Sequence, residues 1–131
     1  MIDVKKIFVA LLLFPLVSCY QTERNCTDFK TGTFQFIYTQ DGEEKVGKFL
    51  RTDDYSIEYY DDKIDTSTVR WINDCEFITK KLHPTNKNEE KALHMKILST
   101  NENSYTFEYK YAIESPNKKQ LVIKGVAEKI K

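Results

Sequence analysis

The chain has 131 residues, 20 Lys and Arg against 20 Asp and Glu, a formal net charge of zero and only four glycines. That balance offers no basic face for nucleic acid, and so few glycines leave neither a phosphate-cradling loop nor a Gly-x-Ser-x-Gly nucleophile turn. The length suits a single domain.

Lys5 and Lys6 precede an apolar run, Ile7 to Phe14, which Pro15 interrupts and Leu16-Val17-Ser18-Cys19 closes. A basic start, roughly ten apolar residues and a small residue before the cleavage point describe a secretory signal. The run falls short of the ~20 residues that a spanning helix needs. Leu16-Val17-Ser18-Cys19 resembles the lipobox of bacterial lipoprotein signals. The resemblance implies a diacylglyceryl group on the Cys19 thiol, cleavage before Cys19 and acylation of the new amine. Residues 1–18 are then the signal peptide and 19–30 a lipidated tether, of which Tyr20 to Arg24 is polar and patternless. One acyl chain holds a protein to a bilayer marginally, whereas two or more make attachment stable. The membrane is therefore the expected partner, and the cell envelope, chiefly the outer membrane facing periplasm or surface, the expected location. Losing Asp3, Lys5 and Lys6 with the signal leaves the mature chain at a net charge of minus one. No polybasic segment flanks the anchor to add membrane affinity.

With Cys19 committed to lipid, Cys26 and Cys75 remain in a compartment that permits disulfides. Paired, they close a loop of about fifty residues, which the chain-entropy account values at about 4 kcal/mol. The alternative is two buried free thiols. Zinc would need more ligands; only His83 and His94 are on hand, eleven positions apart. No metal and no cofactor is expected.

From residue 31 to 131 the chain reads as one domain of short strands, rich in Tyr, Phe, Ile, Val and Thr and cut by turn signals. Thr33 to Thr39 alternates, with Phe34, Phe36 and Tyr38 on one face. Gln40-Asp41-Gly42-Glu43 is a hairpin turn, since Gly tolerates positive φ. Lys45 to Thr52 and Tyr55 to Tyr60 follow, separated by Asp53-Asp54 and ended by Asp61-Asp62-Lys63. Thr66 to Ile72 carries Val69 and Trp71 to one side; after Asn73-Asp74 comes Cys75 to Leu82. His83-Pro84 breaks the pattern because Pro lacks a ladder donor and restrains its predecessor. Thr85 to Lys91 is a loop or one helical turn. Ala92 to Thr100 sets Leu93, Met95 and Ile97 against His94, Lys96 and Leu98. Ser104 to Ile113 has the cleanest period of two, with Tyr105, Phe107, Tyr109 and Tyr111 sharing a side. After the Ser115-Pro116-Asn117-Lys118 turn, Gln120 to Ile130 places Leu121, Ile123, Gly125 and Ala127 together.

Eight strands joined mostly by two- to four-residue turns imply an antiparallel meander. Left flat, such a sheet exposes two edges and one apolar face; closure removes both faults. The expected architecture is all-β, a small eight-stranded lipocalin-like barrel, with a two-sheet sandwich as the alternative. An eight-stranded barrel either fills with side chains or holds one small ligand.

The side chains carry no obvious chemistry. The acids at Asp41, Glu43, Glu44, Asp53, Asp54, Asp61, Asp62, Glu89 and Glu90 sit in turns, where solvation is the ordinary outcome. Asp74 and Glu76 flank Cys75 near Trp71; an Asx-type turn at Asp74 and an outward Glu76 account for them. Lysines such as Lys80-Lys81 and Lys118-Lys119 at strand ends read as edge guards. Tyr105, Phe107, Tyr109 and Tyr111, with Trp71, are the candidates to line a ligand pocket, because Tyr joins an apolar body to a polar tip. The same row also reads as plain core or a cross-strand ladder. No catalytic residue is expected. The function expected is a non-enzymatic barrel binding a small apolar or amphipathic ligand at the membrane; the alternative is a structural lipoprotein docking onto another envelope component.

Asn25-Cys26, Gly32-Thr33-Phe34, the stretch from Val69 to Phe77, Lys96-Ile97-Leu98 and Tyr105 to Tyr109 resemble a group of small bacterial lipoproteins with lipocalin-like domains. Trp71-Ile72-Asn73-Asp74-Cys75-Glu76-Phe77 is the most distinctive part. Chains of that group sometimes carry the label DNA topoisomerase IV, which an export signal, a neutral charge balance and this short length do not support. The resemblance implies no catalytic residues.

Overall fold

A computed structural model describes residues 24–114, 116–117 and 120–131. The signal segment and Cys19 lie outside the described residues, as do Ser115, Lys118 and Lys119 of the expected last turn. Eight antiparallel strands follow a short 3-10 helix at Cys26–Phe29: β1 Gly32–Gln40, β2 Glu43–Arg51, β3 Tyr55–Tyr60, β4 Lys63–Trp71, β5 Glu76–Lys81, β6 Leu93–Thr100, β7 Ser104–Tyr111 and β8 Ile123–Lys129. Each strand pairs with its sequence neighbour, and β1 also pairs with β8, so the sheet closes as a barrel. The sandwich alternative is thereby set aside.

The turns show why the meander holds its register. Asp41 and Gly42 carry φ of 52° and 78°, and Asp61 and Asp62 carry 47° and 59°. Positive φ at both central residues matches the right-handed twist of the flanking strands. Asp tolerates this region better than most side chains. β6 and β7 shift register between Ile97 and Ser99, where one residue bulges. β8 begins at Ile123, three residues later than the pattern suggested; Gln120 instead donates its side-chain amide to the Tyr111 carbonyl at 2.8 Å.

The alternation read from the sequence points inward as expected, with Phe34, Phe49, Ile97, Tyr105 and Ala127 buried in one cluster. Two glycines make room for rings. Phe36 lies over Gly47, its cross-strand partner, and Phe107 lies over Gly125, where an added Cβ would meet the ring at 2.7 Å. Each aromatic ring takes the space that its partner's missing side chain leaves.

The two ends of the barrel differ. At one end the loops β2–β3, β4–β5 and β6–β7 meet both chain termini of the domain, and the 3-10 helix plugs the opening. Cys26 and Phe29 are buried there, so residues 26–29 belong to the folded domain and not to the tether expected over 19–30. Cys26 is disulfide-bonded to Cys75 in the β4–β5 loop, with Cα atoms 5.2 Å apart. Lys30 pairs with Asp74 at 2.9 Å, and Lys129 Nζ donates to the Asp28 carbonyl at 2.7 Å.

The most extensive non-covalent tie is Arg51, 3% exposed at the end of β2. Its Nε donates to the Lys30 carbonyl at 3.0 Å and its Nη1 to the Tyr105 hydroxyl at 3.2 Å, while Nη2 donates to the Phe29 carbonyl. Five rings, those of Phe34, Phe49, Trp71, Phe77 and Tyr105, lie 4.9 to 5.7 Å from the guanidinium carbon. Trp71 thus serves the closed end, its ring tilted against that of Phe77 at 4.6 Å between centroids.

Replacing Arg51 by Met keeps the bulk but strands two carbonyls and a phenol, so Arg51→Met is expected to cost about 3 kcal/mol of stability. Urea unfolding checks this; a loss below about 0.5 kcal/mol, the ordinary scatter of surface substitutions, would refute the role given to this side chain.

Candidate functional site

Above the plug the barrel is hollow. A cavity of ≈ 580 Å³ runs from a floor at Arg51, Phe49, Phe77 and Tyr105 to a mouth at the opposite end. Its two sides differ because the strands bring different inward residues. β1, β6, β7 and β8 contribute Phe36, Leu93, Met95, Phe107, Tyr109 and Ile123. β3, β4 and β5 contribute Ser56, Glu58, Ser67, Thr79 and Lys81. One wall is apolar and aromatic, the other hydroxylic and charged.

Of the sequence candidates, Tyr105, Phe107, Tyr109 and Tyr111 all line the cavity, at depths set by their position along β7. Tyr105 is 3% exposed and belongs to the floor; Tyr111 is 37% exposed at the rim, under Lys91 Nζ at 5.0 Å. Trp71 does not line the cavity, contrary to expectation, because the last residue of β4 falls at the plug. Its indole nitrogen is buried with no hydrogen-bond partner among the described residues.

Glu58 and Asp65 are cross-strand partners on β3 and β4. Asp65 is paired with Lys81 Nζ at 2.9 Å, and Lys81 is shared with Glu89 at 2.6 Å. Burial, together with the neighbouring Asp65, pushes the Glu58 carboxyl above the ordinary carboxylate range, with Lys81 opposing. Burial pulls Lys81 down, but its hydrogen bonds to Glu89 and Asp65 outweigh that and hold it well above the ordinary lysine range. Burial also raises the hydroxyl pKa of Tyr105, against Arg51, and that of Tyr109, where Glu58 adds to it.

Glu89 ties down the segment 82–92, which connects β5 to β6 and brings Asn86, Asn88, Glu89 and Lys91 to the mouth. Glu89 also accepts from the Thr85 amide at 3.1 Å, the Thr85 hydroxyl and Asn86 Nδ2 at 3.2 Å. Its amide donates back to Asn86 Oδ1 at 2.9 Å. The bonds from Lys81 and Thr85 hold the Glu89 carboxyl at about 2.

The sequence reading missed this polar wall. Lys81 turns inward by strand alternation while Lys80 faces out, so only Lys80 fits a surface role. Glu58 carries no motif; its alternation with Ser56 opposite inward Arg51 is the one available signal. Asp74 and Glu76 stand outside the cavity. Asp74 faces Lys30, and Glu76 accepts from Asn73 Nδ2 at 2.6 Å, with His94 Nε2 at 3.1 Å. The Asx turn there centres on Asn73, whose Oδ1 accepts from the Cys75 amide at 2.9 Å, and not on Asp74. Among the described residues no three His, Cys, Asp or Glu side chains converge as a metal site.

Glu89→Gln is expected to speed amide exchange across 82–92 several-fold while leaving the barrel strands unchanged, because only the strap loses an ionic tie. In the parent protein the Glu89 pKa lies below its unfolded value, so its contribution is full above the ordinary carboxylate range. It fades only as pH falls toward about 2. Exchange protection of the strap, corrected for intrinsic chemistry, should therefore stay level from about pH 8 to about pH 5.

No family model, no curated protein and no solved structure matches this chain, so its own residues carry the functional reading.

Proposed function

We propose that the chain is a lipid-anchored envelope protein whose barrel binds one small amphipathic molecule and performs no catalysis. The observation that carries this reading is the hollow interior. A cavity of ≈ 580 Å³ falls within the range of small-molecule sites, and its mix of aromatic surface with a few convergent polar groups is their usual lining. A barrel meant only as a solid scaffold would fill that volume with side chains, as the floor of this one does.

Anchorage supports the same reading. Asn25 lies at the plugged end, its amide donating to Thr100 Oγ1 at 2.8 Å. The few residues between Cys19 and Asn25 span at most about 20 Å. A lipidated Cys19 would hold the plugged end near the bilayer and leave the mouth remote from the anchor. Docking onto another envelope component is the second reading, favoured by Ile37, Val46 and Ile64, which are exposed on the outer face near the mouth.

Ser67 faces the cavity from β4, so Ser67→Trp should fill much of the space with little effect on the plug. Thermal shifts given by cavity-sized amphiphiles in the parent protein are expected to disappear in Ser67→Trp. If no amphiphile raises the parent's melting temperature, or Ser67→Trp responds equally, the binding reading fails. Cys19→Ser is expected to abolish incorporation of radiolabelled palmitate and to leave an uncleaved, heavier precursor. Normal labelling and processing of that variant would refute the anchor.

A further inference from the structure

The charges inside the barrel indicate which head group the cavity suits. Arg51 on the floor is committed, giving hydrogen bonds to Phe29, Lys30 and Tyr105 beneath a cage of five rings. Lys81 on the wall is committed twice, to Asp65 and to Glu89. Lys80 and Lys110 border the cavity but occupy outward positions in the alternation of β5 and β7. Glu58 differs from all of these. It lines the cavity, yet no side chain or backbone group among the described residues hydrogen-bonds or ion-pairs with its carboxylate.

Its cross-strand partner makes this position worse. Asp65 stands directly opposite Glu58, and like charges at that spacing are unfavourable. Around this wall stand three carboxylates, Glu58, Asp65 and Glu89, and Lys81 pairs with only the last two. Burial against Asp65 raises the Glu58 pKa, which is the same deficit seen from the proton's side. The same cavity is lined by Phe36, Phe107 and Tyr109, rings whose faces attract cations and whose surface suits alkyl groups. An anionic head group at Glu58 would meet this surplus of negative charge; Lys91, which has no carboxylate partner among the described residues, stands at the rim over the Tyr111 ring.

Resting on the ligand-binding reading above, we infer that the cavity takes a cationic amphiphile. A protonated amine seats against Glu58 and an apolar body lies along Phe36, Phe107 and Tyr109. The amine supplies the missing counter-charge to Glu58 and eases its opposition to Asp65, while Arg51 and Lys81 keep the partners they have.

Three probes of similar size that differ in head group test this: 2-phenylethylammonium, 3-phenylpropanoate and 2-phenylethanol. They are titrated calorimetrically into the full chain held in phosphatidylcholine nanodiscs, with empty nanodiscs as the blank. The amine is expected to bind at least about tenfold more tightly than either other probe, the worth of one charge-assisted hydrogen bond. In Glu58→Gln, which keeps shape and removes charge, that preference should shrink to within about twofold while 2-phenylethanol binding stays put. Preference for 3-phenylpropanoate or 2-phenylethanol in the parent chain overturns the cationic assignment and leaves the binding reading intact. An amine preference that survives in Glu58→Gln also overturns it. Binding of none of the three overturns both. The head-group comparison in the parent chain needs no variant, so a Glu58→Gln that folds poorly does not shield the inference.

Discussion

A guanidinium buried among five aromatic rings governs this structure. Among the described residues Arg51 has no carboxylate to neutralise it; its compensation comes from two backbone carbonyls, a phenol and the ring faces. Arginine suits this role because its charge is spread over a plane that stacks on rings while its edge donates in fixed directions. The carbonyls it binds belong to Phe29 and Lys30, at the end of the 3-10 helix. A buried cation thus holds the plug onto the barrel, and the Cys26–Cys75 bridge secures the same segment covalently.

From that anchoring follows an uneven distribution of packing. The plugged end contains the fully buried side chains, Phe29, Phe34 and Ile97, with Ala127 admitting the rings around it. Toward the mouth the inward side chains no longer meet across the barrel, and the space between them is the cavity. Rigidity at one end is what allows openness at the other. Most of the apolar stabilisation is gathered where the plug sits, so polar groups can line the remainder without undoing the fold.

The strap over the mouth uses a different kind of force. Its ties are the Lys81–Glu89 ion pair and short local bonds from Thr85 and Asn86, with no large buried side chain among residues 82–92. Such contacts order a loop yet yield at far lower cost than a packed core. Aromatic packing shuts one end of the barrel and surface electrostatics covers the other.

Strand number, turn positions and the inward face of nearly every strand were legible in the chain itself. Alternation has a period of two and needs only neighbouring residues, and Asp41-Gly42 and Asp61-Asp62 announce their hairpins locally. The row Tyr105, Phe107, Tyr109 and Tyr111 was recognisable for the same reason. Its division into floor, wall and rim was not, because depth in a barrel depends on where the plug ends. Tertiary structure alone placed Cys26 to Phe29 inside the domain, sent Trp71 to the plug rather than the cavity, and set Glu58 opposite Asp65, the partner of Lys81. These meetings join residues on different strands. Register and closure, which are properties of the whole sheet, decide which of them come together.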